Sequence, residues 1–253
     1  MSRYPYRLAA DIGAAGTLGL IVLQVDETIE QDFRRLLPDP EMALYITRIP
    51  SGATLSPETI AQMEHDLPRA AGLLPQAPRF DAVGYACTSG TALIGADRVA
   101  ELVAGQVRTR HVTNPMTATL AALAHLGVRS VALVSPYTPA VAAGLQRTLE
   151  AGGIAVPRAI SFGEEVEANV ARIDPASIRA AAQEAATHPE VQAVFLSCTN
   201  LRTLDVIAPL ERDLGIPVLG SNLALAWHMA RLAGADQRLR YGCALTGAGG
   251  SNR

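Results

Sequence analysis

The sequence contains no lysine: all 21 of its basic residues are arginine. A pyridoxal Schiff base, a lysine nucleophile and a Walker-type phosphate loop each require the amine, so those chemistries are excluded. Cysteine is scarce too, three in 253 residues with no Cys-x-x-Cys pair, which argues against a disulfide framework and suits a reducing compartment. His65, His111, His125, His188 and His228 are scattered, without the i, i+4 spacing or cysteine clustering of a metal site. No G-x-G-x-x-G follows a predicted strand. The expectation is chemistry with no metal and no cofactor. Basic runs are also missing and the net charge is −3, so neither a nucleic-acid surface nor a polybasic membrane patch is expected. No apolar run reaches the roughly 20 residues of a bilayer span, and the opening MSRYPYRLAADIG lacks the apolar core of a signal peptide. A cytoplasmic protein is expected.

What is present is apolar material, 49% of the chain, ample for one large α/β domain or two small ones. Short apolar runs at 18–23, 43–48, 82–86, 110–112, 130–134, 154–160, 193–197 and 217–219 read as strands. They alternate with segments of helical period at 27–37, 57–74, 90–104, 116–126, 139–152, 175–187, 201–213 and 223–232. That alternation predicts parallel sheets with crossover helices. The tail GAGGSNR reads as loose.

Two of the three cysteines sit in nearly the same phrase, "DAVGYACTSG" at 81–90 and "QAVFLSCTNL" at 192–201. "VTNPMTATLAALAHLG" and "VLGSNLALAWHMARLAG" form a second, looser match, each one helix beyond its cysteine strand. The repeat predicts two similar α/β lobes related by a pseudo-two-fold axis, 16–112 with 220–245 as the first and 113–219 as the second. The turns "LQVDET" and "SPYTPA" follow the first strand of each half. Ligands of open parallel sheets bind outside the carboxyl ends of the strands, so Asp26, Cys87, Tyr137 and Cys198 are expected to face one cleft.

Thr88 and Ser89 follow Cys87, and Thr199 and Asn200 follow Cys198. Such donors are expected to favour thiolate over thiol and to hold a substrate carboxylate, with the helix after each turn adding its positive end. Two thiols flanking a flat carbanion can remove a proton from one face and return it to the other. A lone strand-end cysteine is more often a packed hydrophobe, but a pair with polar flanks is not explained by packing. Tyr137 reads either as a packed aromatic or as a donor to a carboxylate, and Asp26 either as a helix N-cap or as a substrate group. Cys243, Met116, Trp227 and His228 read as packing.

The phrases "DETIEQDFRRLLP", "ACTSG", "SPYT", "VARI", "SCTNLRTLDVI" and "GSNLALAWHMARLAG" resemble the arylmalonate decarboxylase and maleate cis-trans isomerase family of the aspartate/glutamate racemase superfamily, most of all its ectoine-utilisation branch. The resemblance covers nearly all of the chain after the first 15 residues. It implies two flavodoxin-like halves, a site between them and no cofactor. Cys87 matches the first cysteine of the isomerases, which is glycine in the decarboxylases, and Cys198 matches the cysteine both groups keep. Thr88, Ser89 and Tyr137 match carboxylate-holding hydroxyls, and Asn169 matches a substrate-binding asparagine. Where the maleate isomerases carry Pro-Ser-Ser-Asn this chain has Leu23-Gln24-Val25-Asp26; a carboxylate there repels a dicarboxylate and suits an ammonium or amide.

These readings converge on a cofactor-independent isomerase or racemase of a small carboxylate, with Cys87 and Cys198 as catalytic residues and Asp26, Thr88, Ser89, Tyr137, Asn169, Thr199 and Asn200 as substrate-binding residues. An arylmalonate-type decarboxylase, needing one protonating thiol, is the near alternative. A non-catalytic small-molecule binder is the alternative from another class. Oligomeric state stays open, a homodimer among the options.

Overall fold

The computed structural model describes residues 3–52 and 57–247; the end of the tail, 248–253, lies outside the described residues. Among the described residues, eight strands form two four-stranded sheets in which every neighbouring pair is parallel. The first contains β1 (Gly16–Leu23), β2 (Met42–Ile49), β3 (Phe80–Ala86) and β4 (Thr109–Thr113) in the order β2-β1-β3-β4. The second contains β5 (Ser130–Ser135), β6 (Ala155–Ser161), β7 (Ala193–Leu196) and β8 (Val218–Gly220) in the order β6-β5-β7-β8. The second order repeats the first, so the duplication heard in the cysteine phrases extends to topology. Inner strands are covered on both faces, which is why GTLGLIVL, SVALVS and AVFL are continuous buried runs rather than alternating ones. The edge strands β4 and β6 carry exposed positions.

The helices are α1 (Ile29–Leu36), α2 (Pro57–Gly72), α3 (Thr88–Ile94), α4 (Ala96–Ala104), α5 (Pro115–Leu126), α6 (Pro139–Ala151), α7 (Glu167–Val170), α8 (Pro175–Ala185), α9 (Leu204–Leu214) and α10 (Ser221–Leu232). Two departures from the expected helices bear on function. The helix expected over 90–104 is two, broken at Gly95, whose φ of +94° suits glycine alone. The helix expected from 201 begins only at Leu204, because the preceding loop spends its backbone on other partners. The carbonyl of Thr199 accepts from Asn222, that of Asn200 from Thr28, and that of Leu201 from the Thr203 N–H.

Helix α10 leaves the second sheet through β8 and packs on β3, β4, α1 and α5, against the first sheet. One continuous core therefore runs through both lobes, from Leu20 and Phe33 through Leu123 and Met229 to Val194 and Ile207. A second cluster, including Met63, Leu67, Phe80 and Val99, fills the outer face of the first sheet beneath α2 and α4. No helix among the described residues is long and apolar enough to cross a membrane.

Candidate active site

The turns after β1, β3, β5 and β7 carry Asp26, Cys87, Tyr137 and Cys198, and all four side chains are buried. Hydrogen bonds crossing between the lobes bring the cysteine turns together. The Thr199 hydroxyl donates to the Ala86 carbonyl at 3.4 Å. The Thr88 hydroxyl donates to Ser221 Oγ at 3.1 Å, and the same oxygen accepts the Cys198 N–H at 3.0 Å. Burial pushes the Tyr137 phenol well up, with Cys198 and then Glu167 reinforcing the rise, and the phenol is a hydrogen-bond partner of the Cys198 thiol.

The two cysteines are held differently. Cys87 has ordinary extended backbone and is the N-cap of α3, its Sγ accepting the Gly90 N–H at 3.2 Å. Gly90 is required for that approach, because a Cβ there would lie 2.7 Å from Cys87 Sγ and 2.9 Å from the Tyr85 hydroxyl. Ser89 Oγ lies 3.9 Å from the same sulfur. Cys198 has φ +129°, the one positive value at a non-glycine residue among those described. L-residues hold such a conformation at a cost of about 1–3 kcal/mol, and only where the surroundings over-determine it.

Cys87 and Cys198 are 2% and 4% exposed; the neighbouring donors act toward thiolate as expected, and burial acts against them. Burial pushes Cys87 up to about 11 despite hydrogen bonds from the Gly90 N–H and the Ser89 hydroxyl, with the charge of Glu167 adding to the rise. Burial and then Glu167 push Cys198 well above its ordinary value, outweighing hydrogen bonds from Tyr137 and the Asn200 N–H. In both turns desolvation outweighs the donors. The helix after Cys198 begins too late to help.

The helix expected from Glu27 begins at Ile29 with Thr28 at its N-cap, so Asp26 is not itself the cap residue; its Oδ1 accepts the N–H groups of Thr28 and Ile29 at 2.8 and 2.9 Å and closes the turn that leads into the helix. Thr199 lies beside the carboxylate, while Oδ2 has no hydrogen-bond partner of good geometry. Asn200 is a tie between loops. Its Oδ1 accepts the Glu27 N–H and its Nδ2 donates to the Glu167 carbonyl, both at 2.9 Å. Thr88, Thr199 and Asn200 thus already have protein partners. Asn169 is exposed. The buried residue of that segment is Glu167, two positions earlier.

Sequence reasoning missed Glu167, Ser221 and Asn222. Burial lifts Glu167 to about 7, opposed by a hydrogen bond from Asn200 and reinforced by Asp26. Asn222 Nδ2 donates to the Thr199 carbonyl and to Asp32 Oδ2, both at 2.8 Å. The only signal for the last two residues was the phrase GSNLALAW, heard as a repeat and not as chemistry. Trp227, Met116 and Cys243 are buried, in keeping with packing; the His228 ring pairs with the Thr113 hydroxyl at 2.8 Å.

Two like lobes with paired cysteine turns between them define the aspartate/glutamate racemase-like class of α/β proteins. Within that class, the arylmalonate decarboxylase family model matches residues 47–245. The chain is 32% identical to an arylmalonate decarboxylase of Bordetella bronchiseptica, over 89% of this chain and 94% of the relative. It is 30% identical to a maleate isomerase of Nocardia farcinica, over 90% and 97%. A structure of a Nocardia farcinica maleate cis-trans isomerase mutant, with a covalently bound succinylcysteine intermediate, superposes with a TM-score of 0.80 at 26% identity, covering 91% of this chain and 98% of the other. The chain belongs to the arylmalonate decarboxylase family, a family of enzymes.

Proposed function

We propose that the protein is a cofactor-independent isomerase or racemase of a small carboxylate, with Cys87 and Cys198 as its two reacting groups. The observation that carries this reading is the pair of buried thiols at equivalent strand ends of the two lobes, beside one phenol and one carboxylate. A decarboxylase needs one protonating thiol, and the two equivalent strand ends here carry two. The unequal settings of the thiols favour distinct roles over mirror-image ones. In an addition route, the Cys87 proton passes to the Glu167 carboxylate and the sulfur bonds one alkene carbon. Cys198 gives its proton to the other carbon, the new single bond rotates, and the steps reverse as Cys198 retakes a proton and the C–S bond breaks. The succinylcysteine intermediate of the Nocardia isomerase mutant is a precedent in a relative.

Substrate class follows from charge. Burial raises the carboxyls of both Asp26 and Glu167, so each ionises most readily opposite a cation, and together they suit a carboxylate that also bears an ammonium or amide over a dicarboxylate. That agrees with the amino acid or acylated diamino acid implied by the resemblance to the ectoine-utilisation branch. A cavity of about 300 Å³ lined by Glu27, Thr28, Asp32, Arg35 and Arg202, among others, lies beside the Asn200 tie, and neither cysteine lines it. The reading places the enzyme in the reducing cytoplasm, where its thiols stay free.

Decarboxylation is the second reading, favoured by the 32% identity to the Bordetella enzyme. Incubation in deuterated water with amino acids, acylated diamino acids, maleate and malonates, read by mass, separates the readings. Deuterium gained at a retained carbon skeleton, or conversion of a cis to a trans acid, supports isomerisation or racemisation. Loss of carbon dioxide supports the second reading. Binding without any change of mass would leave a small-molecule binder.

A further inference from the structure

Ser221 and Asn222 open α10, which packs on the first sheet, yet their side chains act on the cysteine loop of the second. Ser221 Oγ takes the N–H of Cys198 at 3.0 Å, and Asn222 Nδ2 takes the carbonyl of Thr199 at 2.8 Å. The Cys198–Thr199 segment, which includes the positive φ at Cys198, is therefore gripped from both ends by two consecutive residues. Ser221 Oγ also accepts the hydroxyl of Thr88, the neighbour of the other thiol. One oxygen, fully buried, joins both cysteine turns.

The grip has no counterpart in the first lobe. Pro115, which opens α5 as Ser221 opens α10, carries no hydroxyl, and the Cys87 N–H goes to the carbonyl of Tyr85 at 3.0 Å. The sequence repeat is thus broken at the residue that holds the second cysteine. Backbone conformations of this kind persist where neighbours over-determine them, and the bonds to the Cys198 N–H and the Thr199 carbonyl supply that constraint.

We propose that Ser221, with Asn222, is a positioning residue that locks the backbone of Cys198 so that its thiol is aimed for reaction, and that sets Cys198 apart from Cys87. The proposal rests on the reading of Cys198 as a reacting thiol. Iodoacetate, a small carboxylate that alkylates thiols, is the probe. Its rate at each cysteine is followed by peptide mass in wild type, Ser221→Ala and Ser221→Thr, with Cys87 as the internal reference. Ser221→Ala is expected to slow Cys198 by about tenfold or more while Cys87 stays within about twofold, and Ser221→Thr, which keeps the acceptor oxygen, to restore the Cys198 rate. Should Ser221→Ala fail to fold, Ser221→Cys, a weaker acceptor of similar size, is read in the same way. An unchanged or faster Cys198, or an equal fall at both thiols, overturns the proposal. The comparison needs no turnover, so a protein inert toward every candidate substrate would remove the proposed function and leave this test standing.

Discussion

At residue scale the two cysteines share a phrase but not an environment. Cys87 sits in relaxed backbone with its sulfur on the Gly90 N–H, whereas Cys198 occupies φ +129°. The difference has a stability consequence that can be measured apart from activity. Glycine tolerates that φ and alanine does not, so Cys198→Gly is expected to be more stable than Cys198→Ala by about 1 kcal/mol, net of glycine's extra unfolded-state entropy. In a domain of this size that is a melting-temperature gap of roughly 2–4 °C in favour of glycine. Equal melting temperatures, or a more stable alanine variant, would show that the backbone at Cys198 stores no strain. The positive φ was invisible in the sequence, where a cysteine carries no mark of its backbone angle.

At the scale of elements, the first turn of α1 shows how one side chain serves fold and site together. Asp26 Oδ1 takes the Thr28 and Ile29 N–H groups, so removing the carboxyl should cost about 1 kcal/mol in Asp26→Ala. Asn accepts the same two N–H groups, and burial raises the Asp26 carboxyl, so Asp26→Asn should be at least as stable as wild type while removing a group that can ionise. Any change in substrate preference in the Asn variant is then electrostatic: affinity for an ammonium-bearing substrate should fall and affinity for a dicarboxylate should rise, both read by titration calorimetry. Unchanged affinities would reduce Asp26 to its role in the turn. The elements themselves were legible, because buried parallel strands are short continuous apolar runs and crossover helices keep their period. All eight expected strands are present, and the helices differ where Gly95 breaks one and where the loop after Cys198 delays another. Asn169 was expected in the site and Glu167 was not, since a four-residue helix offers too little periodicity to tell its buried side from its exposed one.

For the whole molecule, burial of ionisable groups in the shared core sets the pH response. Burial lifts Asp32 from 3.8 to about 6 and Glu167 from 4.5 to about 7. Below both unfolded values each group is protonated in either state. As pH rises to about 7 the unfolded chain releases protons that the folded chain keeps, so stability falls across that window and levels off above it. The combined loss is on the order of a few kcal/mol. The melting temperature should accordingly be several degrees higher near pH 5 than at pH 8, and Glu167→Gln should narrow that gap by raising stability at pH 8 alone. A gap that Glu167→Gln leaves unchanged would mean that this carboxyl is not held protonated. The two-lobed plan was readable from the repeated cysteine phrase. Contacts between segments distant in sequence, such as Ser221 with Cys198 and Asn200 with Glu27, arise only once the lobes close on each other.

The central claim is that both thiols take part in one reaction, and the most direct measurement is turnover by wild type, Cys87→Ser and Cys198→Ser on the substrate that the deuterium panel identifies. Each serine variant should lose activity by on the order of 10³, with its fold intact by circular dichroism. Substantial activity in either variant contradicts the two-thiol account, and a working Cys87→Ser beside a dead Cys198→Ser would make the protein a decarboxylase instead.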